Sequence, residues 1–294
     1  MIIKHFDVNE PETEPPAGEG WERTWTGYHV MSKCLDLDRK TKFEDQDLET
    51  RNDGQTPQPA FGRDLMLSLL TDINKKHVNM FELGAGWGRM CLELAGIIDH
   101  SIVDVVPSSY RCLAVEGEPT HYDWIKDNFE SQNINGVAVM GAVSDRNGSC
   151  LFDAGPDPGA CYGQAMASLV TRRRLPSLST LLNVIKKRSI RIPMYTIDSL
   201  IQTFEFDRVD IIHIDVQGAE YKTIMGAKES FKKDLIDYLW ISTHHPDLND
   251  KISEVLISGF DLILDIYPRS VTDVPGFLPV NVHDGIQLYK RKNI

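Results

Sequence analysis

Residues 82–88 read Glu82-Leu-Gly84-Ala-Gly86-Trp-Gly88, directly after the apolar residues Val78, Met80 and Phe81. Glycines at alternate positions let a backbone take positive φ and press against a ligand with no Cβ in the way, and residues 89–94 then open a helix toward it. Glu82 selects among ligands. A carboxylate beside the loop repels a diphosphate but accepts hydrogen bonds from an ammonium, which favours S-adenosylmethionine over NAD. The spacing agrees, because the dinucleotide fingerprint is G-x-G-x-x-G and here the third glycine comes one residue early. A strand-to-helix turn that holds no ligand is the competing reading of the same residues.

Two further places carry chemistry. Asp215 ends the apolar stretch Asp210-Ile-Ile-His213-Ile-Asp215, and a carboxylate at the tip of a central strand faces a cleft. There it can orient a hydroxyl, hold the cofactor's methionyl end or ligate a divalent ion, or it can cap the following helix. Glu220, one turn on, stabilises the same helix start. His244 and His245 follow the apolar run Trp240-Ile-Ser-Thr243, and alternation sends one toward the cleft and the other away. Histidine suits removal of a hydroxyl proton near neutral pH, while a buried histidine that only exchanges hydrogen bonds is the competing reading. A metal held by Asp215 and one of these histidines is conceivable, although no ligand spacing demands it.

The elements that must position these groups alternate: strands over 78–83, 111–116, 136–141, 209–215, 237–243, 260–266 and 285–291, and helices over 88–98, 119–132, 218–231 and 249–258. Such alternation specifies an α/β fold, a doubly wound, mostly parallel seven-stranded sheet covered by helices on both faces. The last two strands are joined without a helix and form an antiparallel pair at the sheet edge. Ligands gather at the carboxyl ends of such strands, where Glu82, Glu116, Ala142, Asp215 and His244 fall. Residues 1–76 read as an N-terminal extension, partly irregular, with a helix near 61–73, and residues 77–294 as the catalytic domain with an insertion near 154–190. Within the insertion, 171–188 carries Arg172, Arg173 and Arg174 at one end and Lys186, Lys187 and Arg188 at the other. It reads as a solvated helix or as a lid for an anionic substrate.

The chain of 294 residues, 41% hydrophobic, is long enough for one large core with decorations. Its 43 acids against 31 bases give a net charge of −12, which argues against a broad grip on nucleic acid and for a small or neutral substrate. Five cysteines without a C-x-x-C pair argue against a disulfide framework or zinc ribbon. With no leader and no apolar span of ~20 residues, the expectation is a soluble, cytoplasmic protein with no membrane partner.

With Asp215-Val-Gln217-Gly-Ala-Glu220 the chain resembles the FkbM family of S-adenosylmethionine-dependent methyltransferases, whose turn after the fourth core strand reads D-V-E-G-A-E. Ala114-Val-Glu116-Gly-Glu-Pro119 is similar to the family's A-x-E-P turn, Gly141-Ala-Val-Ser-Asp145 to G-A-V-S-D, and Thr196-Ile-Asp198-Ser-Leu200 to T-x-D-x-L. These motifs run in order across 78–291. The resemblance implies a Rossmann-like class I methyltransferase and makes Gly84, Gly86 and Gly88 the loop beneath the methionine and ribose, with Glu82 close to the amino group. It gives Glu116 the ribose hydroxyls and Ala142 and Val143 the adenine. Asp104 fits the ~20-residue spacing of nucleotide-binding units better than Glu116 and is the fallback. Gln217 stands where the motif has glutamate, and His213 where lysine is common. Thr243 replaces the glutamate of an E-x-H pattern, which makes His245 the family-matched base with His244 nearly level. The implied reaction is methylation of a hydroxyl on a sugar or secondary metabolite. A nicotinamide-dependent oxidoreductase and a non-catalytic cofactor binder are the alternatives.

Overall fold

The computed structural model describes residues 1–6, 21–26, 28–35, 56–104, 106–153, 165–166 and 189–292. The acidic 7–20 stretch, Cys161, the basic 171–188 segment and most of the expected 154–190 insertion lie outside the described residues. Seven strands build the main sheet: β1 His77–Leu83, β2 Ser109–Glu116, β3 Gly136–Met140, β4 Val209–Ile214, β5 Ile236–Thr243, β6 Phe260–Ile266 and β7 Gly285–Arg291, in the order β6-β7-β5-β4-β1-β2-β3. Strands β1 to β5 are mutually parallel. The antiparallel pair at the edge is present, with β7 the reversed strand and β6 outside it.

Among the described residues the sheet is accompanied by α1 Gln58–Ile73, α2 Arg89–Asp99, α3 Pro119–Ser131, α4 Ile197–Thr203, α5 Glu220–Met225, α6 Lys228–Lys232 and α7 Pro246–Leu256. Every residue of β4 and β5 is buried, as both faces of a parallel sheet require. The pleat sorts them. Val78, Met80, Cys112, Ala114, Ile211, Tyr238 and Trp240 share one core with α1, α2 and α3, whereas Phe81, Leu83, Leu113, Val115, Ile212, Leu239 and Ile241 share the other with α4, α5 and α7. Continued to the strand tips, this period of two sends Glu82, Glu116, Asp215 and His244 to the first face.

The single helix expected over 218–231 is instead α5 and α6. A Cβ on Gly226 would lie 2.2 Å from the Ser144 carbonyl oxygen, so glycine lets the chain pass there and the helix breaks. Asp198 then caps α6, accepting from the Glu229 and Ser230 amides at 3.1 and 2.8 Å. A second sheet, absent from the sequence reading, runs in the order Ala142–Val143, Ser189–Tyr195, Gly148–Asp153, Ala165–Met166. Within 267–284, read as a loop, Ser270–Thr272 and Val280–Val282 pair with each other, and Val280–Val282 also pairs with Thr56–Pro57. The N-terminal segment docks on α2, where a Cβ on Gly96 would meet Thr26 at 2.5 Å and the Tyr28 and Tyr110 hydroxyls both donate to Asp99. Cys91, Cys112 and Cys150 are free and buried, Cys34 is buried, and no described helix is long and apolar enough to cross a membrane.

The amino ends of the strands are tied by charge. Asp237, buried on β5, accepts from Lys75 at 2.6 Å, from Arg208 Nε at 2.8 Å and from Arg291 at 2.7 Å. Lys75 also donates to Asp210 on β4. Removing the Asp237 carboxylate leaves the buried Arg291 short of a partner. Because Lys75 and Arg208 are partly exposed, the expected cost of Asp237→Ala is about 2–3 kcal/mol. This appears as a fall of roughly 4–10 °C in Tm in a thermal melt; an unchanged Tm shows that the network contributes nothing.

Candidate functional site

The carboxyl edge of the sheet begins with the turn after β1. Gly84, Gly86 and Gly88 all have positive φ, at 80°, 56° and 85°. A Cβ on Gly84 would lie 1.8 Å from the Asp215 carbonyl oxygen, and the Asp215 amide donates to the Leu83 carbonyl at 2.8 Å. The loop is therefore pressed against the chain leaving β4. On its other side the Gly84 and Ala85 amides both donate to Val115 at 3.0 Å.

Two buried carboxylates hold this turn in shape. Glu82 accepts from the Met90 and Cys91 amides, each at 3.0 Å, so it occupies the open first turn of α2 and stabilises it against the helix dipole. Burial pushes its pKa up to about 7, opposed by those amides. Glu116, at the tip of β2, accepts from Gly86 at 2.7 Å and from Gly117 and Glu118 at 2.7 and 2.8 Å, and burial likewise raises its pKa to about 7. Glu116 thus touches the glycine loop directly. Asp104 does not: it is exposed in the 100–108 connection that leads into the amino end of β2, where the Ser108 amide donates to Lys76 ahead of β1. With it goes the ~20-residue acid that a nicotinamide site calls for. Ala142 and Val143 are buried next to the Glu116 tip, since the Gly141 amide donates to the Glu116 carbonyl at 2.8 Å.

Beyond Asp215 the sheet edge gathers charge. His244 Nδ1 lies 2.8 Å from Glu220 Oε1, and its Nε2 lies 3.3 Å from Asp215 Oδ1 and 3.7 Å from Asp284 Oδ1. Burial alone lowers the pKa of this imidazole, but hydrogen bonds and charge from Asp215 and Glu220 override it and raise the value to about 10. These carboxylates favour the cationic form of the ring. Glu220 is fully buried and folds back to accept from the Gly218 amide at 2.9 Å, across the turn where Gln217 and Gly218 take positive φ.

His245 stands apart. Its side chain is 66% exposed, lies 3.7 Å from Asp247 Oδ2, and caps α7 by accepting from the Asp247 amide at 3.3 Å. The pleat thus turns His244, and not His245, toward Asp215 and Glu220, and leaves His245 at the helix start. Thr243 is buried, and its hydroxyl donates to Asn249 Oδ1 at 2.6 Å. His213 stacks edge-on with Trp240 inside the sheet. Sequence reading missed Asp284, whose only signal is the Asp284-Gly285 pair ahead of the last strand. Among the described residues, no group of three or more histidines, cysteines or carboxylates could hold a metal ion.

The chain is similar to several known proteins. A curated protein of Jannaschia sp. (strain CCS1), named as a methyltransferase, is 26% identical over 225 residues, covering 74% of this chain and 73% of its own. Among solved structures, a precorrin-6Y C5,15-methyltransferase from Geobacter metallireducens is 12% identical with a TM-score of 0.41, covering 86% of this chain and 97% of its own. TrmK from M. capricolum, solved with S-adenosylhomocysteine, is 11% identical with a TM-score of 0.38, covering 79% and 68%. At such TM-scores the fold assignment rests on the strand order above. The sequence profile of the methyltransferase FkbM domain matches residues 102–263, more than half of the chain, and the protein therefore belongs to the FkbM methyltransferase family.

Proposed function

We propose that this protein is an S-adenosylmethionine-dependent methyltransferase that methylates a hydroxyl of a small acceptor, a sugar or secondary metabolite, with Asp215 beside the reacting atoms. The observation that carries this reading is the contact between Gly84 and the Asp215 carbonyl, which makes the glycine cradle and the Asp215 carboxylate two sides of one cleft. The residues present fit the cofactor: a loop of three positive-φ glycines, of which Gly84 has no room for a Cβ, flanked by the carboxylates Glu82 and Glu116. The bound cofactor supplies a methyl group activated by a sulfonium centre.

The chain's own residues do the rest. Gly84, Gly86 and Gly88 bind the methionine and ribose portions, and Glu116 has lone pairs left for the ribose hydroxyls. Glu82, beneath the loop, supplies negative potential for the ammonium. Ala142 and Val143 offer an apolar wall for the adenine. Asp215 accepts the hydroxyl proton of the acceptor at a carboxylate oxygen as the new C–O bond forms, which a cationic His244 does not do. Holding both reactants in this edge supplies proximity.

In a thermal-shift assay, S-adenosylmethionine and S-adenosylhomocysteine raise Tm and NAD does not, since only a ligand preferring the folded state stabilises it; a rise with NAD alone overturns the reading. Gly84→Ala imposes backbone strain on the order of 1–3 kcal/mol in addition to the clash with Asp215, and it abolishes the S-adenosylhomocysteine shift. Asp215→Asn keeps that shift but lowers methyl transfer by about 10²–10⁴-fold in a labelled-cofactor screen of hydroxylated acceptors. Cofactor binding with no transfer to any acceptor marks a non-catalytic binder instead.

A further inference from the structure

We propose that Asp284, at the head of β7, is a positioning residue: together with Glu220 it fixes the His244 ring as an imidazolium whose Nε2–H faces Asp215, so that Asp215 stays ionised and oriented as the proton acceptor. The role in methyl transfer rests on the function proposed above, while the charge arrangement is a property of the protein without ligand.

Backbone geometry leads Asp284 to this place. Strands β5 and β7 are antiparallel with Thr243 opposite Gly285, so the next pair along the same register is His244 and Asp284. Gly285 makes the close approach. A Cβ there would meet Thr243 Oγ1 at 2.3 Å and the Ile266 carbonyl oxygen at 2.7 Å. Opposite charges directly across such a pair attract, and Asp284 is largely buried.

The protonation state follows from what each ring nitrogen meets. Nδ1 faces Glu220 Oε1 at 2.8 Å, and Nε2 faces Asp215 Oδ1 at 3.3 Å and Asp284 Oδ1 at 3.7 Å. An ionised carboxylate only accepts hydrogen bonds, and a neutral imidazole donates from one nitrogen alone. The neutral ring would thus turn a lone pair toward one of the carboxylates, whereas the imidazolium hydrogen-bonds Glu220 through Nδ1 and turns a positively charged N–H at Nε2 toward Asp215 and Asp284, close by but not hydrogen-bonded to them. Titratable groups reach the ring from three elements: Asp215 from the turn after β4, Glu220 from α5 and Asp284 from the turn before β7. Exposed His283 lies behind Asp284 at 3.1 Å. The raised pKa of His244 agrees, with burial opposing it.

Asp284 therefore acts through His244. Without its charge, Nε2 keeps Asp215 as its sole anion among the described residues, the ring loses its proton at lower pH, and the grip on Asp215 weakens. The linkage has a defined sign: with a folded-state pKa above the ordinary 6.5, the stabilisation from His244 is full below that value and is lost as pH rises through about 10.

The test is an NMR titration of the histidine Cε1–H resonances in the ligand-free full chain, with His244→Gln assigning the signal. The expected midpoint for His244 is near 10, and Asp284→Asn, of the same shape, lowers it by about one unit or more without displacing the other histidines. A wild-type midpoint near or below 6.5 overturns the inference even if Asp284→Asn fails to fold, and so does a folded Asp284→Asn with an unmoved midpoint. A low midpoint alongside a normal S-adenosylhomocysteine shift refutes this inference and leaves the proposed function standing. A high, Asp284-dependent midpoint with no such shift supports the charge arrangement and removes its role in catalysis.

Discussion

A Cβ on residue 84 would sit 1.8 Å from the Asp215 carbonyl oxygen, a separation no side chain can adopt. The chain leaving β1 and the chain leaving β4 are neighbours because those strands pair in parallel register, Leu83 beside Ile214. Glycine alone lets the two turns touch. Everything proposed for the site depends on that contact, since it makes the loop that would cradle a cofactor and the carboxylate that would meet an acceptor parts of one surface. The remaining glycines and the Glu82 and Glu116 carboxylates keep the loop in the conformation that the contact demands.

The two ends of the sheet divide the work. At the amino end Asp210 and Asp237 are matched by Lys75, Arg208 and Arg291, and the charges tie strands together. At the carboxyl end the carboxylates outnumber their cationic partners: Asp215, Glu220 and Asp284 surround the His244 ring, while Glu82 and Glu116 rest mainly on backbone amides. An excess of negative charge suits a ligand that arrives with positive charge, and it accounts for the elevated pKa of His244 in a place where burial would otherwise depress it.

Much of this was legible in the sequence because it is local. The glycine spacing, the largely apolar β4 and β5 and the acids at strand ends are properties of short segments, and the period of two carries them to the right edge of the sheet. What failed to show is long-range. The choice between His244 and His245 depends on the register of β5 and on the start of α7, where His245 serves as the cap. Asp284 belongs to the site only because β7 returns antiparallel to β5. The break between α5 and α6 answers to a carbonyl some eighty positions earlier in the chain, at Ser144, which no helical period reveals. The short strands of the second sheet, such as Ala142–Val143, are too brief to carry a pattern of their own.

The most direct measurement of the central claim is a crystal structure with S-adenosylhomocysteine bound. The account predicts the homocysteine sulfur in the cleft between the Gly84–Gly88 turn and Asp215, with the ribose hydroxyls on Glu116. A ligand lodged elsewhere, with the Gly84 turn and the Asp215 carboxylate untouched, contradicts it.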